Sequence, residues 1–173
     1  MKNIHLILGG ARSGKSSYAE QLTLDAVAQS STESKLIYLA TATAQDNEMS
    51  DRIKHHQTRR NQQWLTIEEP IKLAERINQL QGNSIVLIDC LTLWLSNCLH
   101  QECWSKQKTE FLIALEKSNT QIFIVSNEVG SGIVPMGALS RQFVDESGWL
   151  HQQLAQISNK VTLVVAGLPM TLK

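Results

Sequence analysis

The stretch with the plainest chemistry is GGARSGKS, Gly9 to Ser16. Gly9 and Gly14, followed at once by Lys15 and Ser16, fit the G-x-x-x-x-G-K-[ST] pattern of a phosphate-binding loop. Two glycines let the backbone turn tightly, so that the N–H groups of Gly10, Ala11, Arg12 and Ser13 face inward onto phosphate oxygens. Lys15 would reach the β- and γ-phosphates, and the Ser16 hydroxyl would hold Mg²⁺. The competing reading is a chance match on a Gly-rich turn. A strand-like run before the loop and a helix-like run after it argue against chance. A metal held this way needs a second oxygen ligand. Asp89 ends the run SIVLID and Glu128 follows IVSN. Strand-end carboxylates face the ligand crevice of an open parallel sheet, so either could serve. Either could also do no more than cap the next helix.

A second candidate lies in SDRIKHHQTRRNQQW, residues 50–64, where His55 and His56 are adjacent. The spacing predicts a helix over 46–60, with acidic residues in its first turn and arginines in its last, which suits the helix dipole. Met49 and Ile53 mark its apolar face, and that face continues to His56. His55 lies about 100° round the helix. It shares a polar side with Glu48, Asp51, Arg52 and Arg59. One metal site built on both histidines is disfavoured, because neighbours on a helix do not share a face. His55 is left as a reactive group or as part of a solvated charged face.

These residues need a scaffold. Runs rich in Ile, Val and Leu recur at 3–8, 35–40, 84–89, 121–126 and 160–166, with a weaker sixth at 64–69. Continuous apolar runs suit strands buried on both faces of a parallel sheet. Helical patterns fall between them at 15–29, 46–60, 71–80, 91–100, 105–117 and 138–157. The alternation implies an α/β fold, a P-loop NTPase-like, mostly parallel sheet with helices on both faces. No composition shift divides residues 1–173, so one domain is expected. Segments 28–34 and 130–135 read as loops.

Composition narrows the function. The chain has 173 residues and a net charge of zero, which argues against a nonspecific grip on nucleic acid. No apolar segment approaches the ~18 residues of a membrane span. MKNIHLILGG reads as a first strand rather than a signal peptide. Cys90, Cys98 and Cys103 form no C-x-x-C pair, which suits reduced thiols and a cytoplasmic setting. Cys90 reads as a small core residue. Trp94, Trp104 and Trp149 could line a pocket or belong to the core.

Taken in order, GGARSGKS, YLATA, DNEMSDRIKHHQTRR, VLIDCLTLWLSN, VSNEVGSGIVP and VVAGLPMTLK resemble the bifunctional adenosylcobinamide kinase/adenosylcobinamide-phosphate guanylyltransferase family of cobalamin biosynthesis. The resemblance runs from the first strand to the last residue. It implies two reactions. ATP or GTP would phosphorylate the aminopropanol hydroxyl of adenosylcobinamide. GTP would then transfer GMP to adenosylcobinamide phosphate, giving adenosylcobinamide-GDP and pyrophosphate. It also implies a covalent GMP–histidine at His55, Mg²⁺ as cofactor, and a homotrimer.

By the same resemblance Thr41, Ala42 and Thr43 form a nucleotide-contacting turn. Glu68 and Asp89 stand at acidic positions that touch nucleotide or metal, and Arg59 and Arg60 line the nucleotide site. Some relatives carry Glu where this chain has Asp89, whose shorter reach leaves contact through water open. The loop Asn127 to Pro135 would lie on the corrinoid side. From the residues alone, two rivals stand beside this reading. One is another small-molecule kinase with structural histidines. The other is a GTP-binding module without transfer chemistry.

Overall fold

A computed structural model describes residues 3–30, 34–42, 63–80 and 83–173. The expected helix at 46–60, with Thr43, His55, His56, Arg59 and Arg60, lies outside the described residues. Seven strands form one sheet: β1 (Asn3–Gly9), β2 (Lys35–Ala40), β3 (Leu65–Glu68), β4 (Ser84–Asp89), β5 (Gln121–Asn127), β6 (Lys160–Val165) and β7 (Leu168–Thr171). Their order across the sheet is β3-β2-β4-β5-β1-β6-β7. Every pairing is parallel except β6 with β7. Among the described residues the helices are α1 (Lys15–Ala28), α2 (Leu73–Gln79), α3 (Leu91–His100), α4 (Trp104–Lys117) and α5 (Ala138–Ile157).

The continuous apolar runs are explained by burial on both sides. Leu6, Leu39, Val86, Ile88, Ile122 and Ile124 face the cluster formed with α2 to α5. Their neighbours Ile7, Tyr38, Leu87, Phe123 and Val125 face the α1 side. Side chains alternate with period two, so a strand covered on both faces has no polar alternate positions. The helix faces obey chain direction. The step from β1 to β2 runs one way across the sheet and α1 lies on one face. The steps from β3 to β4, β4 to β5 and β5 to β6 run the other way, and their helices lie on the opposite face. Right-handed crossovers require this reversal.

Trp94 and Trp104 are core residues. Trp94 is fully buried, 5.1 Å from the Trp104 ring and 4.8 Å from Phe111. The Trp94 indole donates to the Ile71 carbonyl at 2.7 Å. Only Trp149 of the three candidates is exposed, at 54 %. Trp104 also joins α4 to α5. Its Nε1 donates to Glu146 Oε2 at 2.6 Å, and Lys108 Nζ donates to the same oxygen at 2.8 Å. Burial pushes the Glu146 carboxyl up, but Lys108 and the indole outweigh it and hold the group below the usual carboxylate range.

The chain's end departs from expectation. The run 160–166 forms β6 as expected, but the chain then adds a strand that the sequence pattern does not include. It turns at Ala166 and Gly167, at φ 51° and 80°, and returns as antiparallel β7. Two successive positive-φ residues fit a tight hairpin. Pro169 is tolerated there because β7 is an edge strand.

Candidate functional site

The C-terminal ends of the parallel strands line up along one edge. Ala40 is in register with both Glu68 and Asp89, Asp89 with Val125, and Gly9 with Asn127 and Val164. At ~4.8 Å per strand, Asp89 and Gly9 lie about 10 Å apart in the hydrogen-bonding direction.

The phosphate loop leaves β1 at Gly9. A Cβ added there would lie 2.4 Å from Ser13 Oγ and 2.6 Å from the Val164 carbonyl oxygen, so glycine is required by close approach. Gly9 O accepts from Glu128 N at 3.0 Å, which ties the loop to β5. Arg12 and Gly14 both have positive φ, 56° and 91°, and Gly14 caps the start of α1. The hairpin at the chain's end supports the loop, with Gly167 N donating to Ser13 O at 2.8 Å. Gly10, Ala11, Arg12 and Gly14 are exposed and Ser16 is half-buried. The buried Ser13 Oγ has no hydrogen-bond partner among the described residues.

Lys15 is 8 % exposed, and its Nζ donates to Gly10 O at 3.0 Å. Burial lowers its pKa, while the nearby Asp89 and Cys90 pull it back up. The Gly10 carbonyl thus holds the ammonium across the loop.

Asp89 is half-buried, and Tyr38 donates its hydroxyl to Asp89 Oδ2 at 3.0 Å. The Asp89–Cys90 peptide bond is cis. Thr41 is fully buried behind it. Its Oγ1 donates to Cys90 O at 2.7 Å and accepts from Cys90 N at 2.8 Å, and its backbone N donates to Asp89 O. Asn97 Nδ2 from α3 donates to Thr41 O. The Thr41 hydroxyl is thus engaged in holding the end of β4, while Ala42 after it is half-buried. Thr92 Oγ1 bridges Cys90 Sγ at 3.1 Å and Asn127 Nδ2 at 2.8 Å, joining α3 to β5. Cys90 is buried as expected, but as a member of this polar network. Burial pushes its thiol up.

The two acids beyond Asp89 differ in position. Glu68 is exposed at the end of β3. Its neighbour Glu69 is buried and caps α2, with Oε1 accepting from Ile71 N and Lys72 N and Oε2 from Arg76 Nε. Glu128 Oε1 accepts from Gly130 N at 2.7 Å. Burial pushes the Glu128 carboxyl up, but hydrogen bonds from Ser131 and Gly130 and the nearby His151 hold it low. Glu128 therefore closes its own loop, whereas the Asp89 carboxylate accepts from Tyr38. Among the described residues no three His, Cys, Asp or Glu side chains could together hold a metal. The oxygens of Ser16 and Asp89 nevertheless suit Mg²⁺, which takes few protein ligands and completes its shell with phosphate and water.

The structure thus brings together Gly9 to Ser16, Lys15 and Asp89, and places Glu68 at the outer end of the same edge. Tyr38, Thr92 and Asn97 were not anticipated at the site. The one signal for Tyr38 was a phenol inside the aliphatic run KLIYLA, since a buried Tyr hydroxyl needs a partner.

A strand, a glycine loop carrying an inward lysine and a helix, on a parallel sheet with an acid at the adjoining strand end, define a P-loop α/β nucleotide-binding fold. The KaiC-like protein PH0186 of Pyrococcus horikoshii OT3 has the same architecture, with a TM-score of 0.54 at 10 % identity over 94 % of this chain and 70 % of that one. The family model for cobinamide kinase / cobinamide phosphate guanyltransferase matches residues 5–172, and the chain belongs to that family. It is 46 % identical to the bifunctional adenosylcobalamin biosynthesis protein CobP of Pseudomonas aeruginosa, over 97 % of this chain and 96 % of that protein. It is 36 % identical to the bifunctional adenosylcobalamin biosynthesis protein CobU of Escherichia coli, over 97 % and 98 %.

Proposed function

We propose that this chain, acting as one domain over residues 1–173, phosphorylates adenosylcobinamide and then guanylylates the product through His55. The observation that carries the reading is the Lys15 ammonium held across the phosphate loop by the Gly10 carbonyl, in a chain of this family. Backbone amides of Gly10 to Ser13 and the start of α1 bind the triphosphate. The Gly10 carbonyl that holds Lys15 yields it to a phosphate oxygen, and the unpartnered Ser13 hydroxyl gains a phosphate acceptor.

In the first step the aminopropanol oxygen attacks the γ-phosphorus. The bond to the β-phosphate oxygen breaks, the nucleoside diphosphate leaves, and Lys15 stabilises charge on the transferring group. In the second step a neutral imidazole nitrogen of His55 attacks the α-phosphorus of GTP. An N–P bond forms and pyrophosphate leaves. A phosphate oxygen of adenosylcobinamide phosphate then attacks the same phosphorus, and the N–P bond breaks. Imidazole suits this role because its reference pKa of ~6.5 leaves it neutral and nucleophilic near pH 7. Mg²⁺, held by Ser16 and Asp89, would neutralise charge on the phosphates. By the family resemblance Ala42, Thr43, Arg59 and Glu68 would contact the nucleotide while buried Thr41 holds the end of β4; Glu48 or Asp51 would orient the His55 imidazole, and Arg52 or Arg59 would stabilise charge on the α-phosphate. The free cysteines suit a reducing cytoplasm, and family resemblance favours a homotrimer.

The test is α-phosphate-labelled GTP without a corrinoid. Wild type should retain label after denaturation, stable to alkali and labile to acid, and His55→Ala should not. Label retained in His55→Ala would overturn the nucleophile. A wild type that takes no label but phosphorylates another small molecule would favour a simple kinase. Slow hydrolysis alone would favour a GTP-binding module.

A further inference from the structure

Tyr38 is 4 % exposed, and it is the only residue with a polar side-chain group among the buried positions 36–39 of β2. A phenylalanine would fill the same volume against Ile7, Leu87 and the other side chains on the α1 face of the sheet. The hydroxyl must therefore be explained by what it bonds, and its acceptor is Asp89 Oδ2 at 3.0 Å. The two residues share a face. Ala40 is in register with Asp89, so Tyr38 lies diagonally across from it, two residues back. On its other side the ring meets Trp64 edge-on, at 5.9 Å and 81°. Trp64 lies just before β3.

The torsion that orients a carboxylate is broad and roughly two-fold. A single rigid donor on Oδ2 removes that freedom. The donor is itself fixed, since its ring is packed between the sheet core and Trp64. Asp89 stands at the C-terminal end of β4, on the same edge of the sheet from which β1 delivers the phosphate loop at Gly9.

We infer that Tyr38 is a positioning residue for Asp89: its hydroxyl sets the carboxylate in the orientation that receives the Mg²⁺–nucleotide, while Trp64 holds the phenol in place. The inference rests on the nucleotide reading of the loop and deepens it. It predicts that part of the metal-dependent nucleotide affinity depends on one hydroxyl that touches neither nucleotide nor metal.

The experiment compares wild type, Tyr38→Phe, Asp89→Ala and the double variant. Each is titrated with methylanthraniloyl-GTP in Mg²⁺ and again in EDTA, with a melting curve for each protein. Tyr38→Phe keeps the ring and its Trp64 contact, so its melting temperature should stay near that of wild type. Loss of one hydrogen bond to a charged group should weaken binding in Mg²⁺ about tenfold or more. Binding in EDTA should not change. In the Asp89→Ala background, adding Tyr38→Phe should have no further effect. The inference is overturned if Tyr38→Phe binds like wild type in Mg²⁺, or weakens binding equally in EDTA, or still weakens it without Asp89. Because no corrinoid is present, this outcome is separate from that of the labelling test. A protein that shows the predicted pattern but takes no GMP label would overturn His55 and leave Tyr38 standing. A wild type that binds no nucleotide would overturn both.

Discussion

Gly9→Ala probes how the sheet holds the phosphate loop. The new Cβ would lie 2.6 Å from the Val164 carbonyl oxygen and 2.4 Å from Ser13 Oγ. The serine can rotate away. The carbonyl cannot, because Val164 is paired with both Gly9 and Pro169 in the sheet. Ordinary C···O contacts begin near ~3.3 Å, so the backbone is about 0.7 Å too close. Overpacking of this kind costs about 1–3 kcal/mol. For a chain of this length that is a melting-point loss of roughly 3–10 °C. The same displacement moves the amides that receive phosphate, and errors near 1 Å at a reacting centre can cost ~100-fold. Nucleotide affinity should fall about tenfold or more. The control is Gly10→Ala, where a Cβ meets nothing within 4 Å, and its apo melting curve should match wild type. Differential scanning calorimetry and a fluorescent GTP titration read both effects. If Gly9→Ala melts and binds like wild type, the argument from close approach is wrong.

Three further outcomes follow from particular contacts. Lys15→Ala should reduce both phosphoryl and guanylyl transfer by at least tenfold, because both need the triphosphate placed, whereas His55→Ala should abolish guanylylation and spare the kinase; coupled assays of each step distinguish these. His5 bonds Thr162 Oγ1 and is held neutral, with burial and then Lys160 lowering its pKa to about 4, so its stabilising effect is present above the unfolded value of 6.5 and is lost as pH falls from there toward 4. Between pH 7 and pH 5 the loss should be about 1–2 kcal/mol, and urea unfolding of His5→Leu should show that much less acid sensitivity than wild type. Glu146→Gln should destabilise by about 1–3 kcal/mol at pH 7 by leaving Lys108 unpaired. That deficit should begin to shrink as pH falls below the unfolded carboxyl value of 4.5, and should vanish as pH passes through the lower folded value, where the wild-type carboxylate loses its charge.

Much of the fold was legible because its signals are local. An apolar run with no polar alternation states that both faces of a strand are covered, and this held for β1, β2, β4, β5 and β6. The loop Gly9–Ser16 was legible because eight consecutive residues carry the whole pattern. The hairpin to β7 was not, because four exposed residues containing a proline have no strand signature of their own. Trp94 and Trp104 read equally well as pocket or core, since an indole suits either until its neighbours are known.

By itself, the amino-acid sequence determined the order of the described elements from β1 to β6, the phosphate loop and the acids at the strand ends. Tertiary structure alone decided which of those groups meet. Tyr38 and Asp89 are 51 residues apart, as are Thr41 and Cys90 to within two, and they touch because β2 lies beside β4 in the sheet. Asp89 and Glu128 look alike in the chain. In the fold, Glu128 is drawn into a bond with its own loop, and Asp89 accepts from Tyr38 across the sheet. Hydrophobic periodicity reports which face is buried, but strand neighbours are set by crossover handedness and packing of the whole sheet, and side-chain contacts follow from those neighbours.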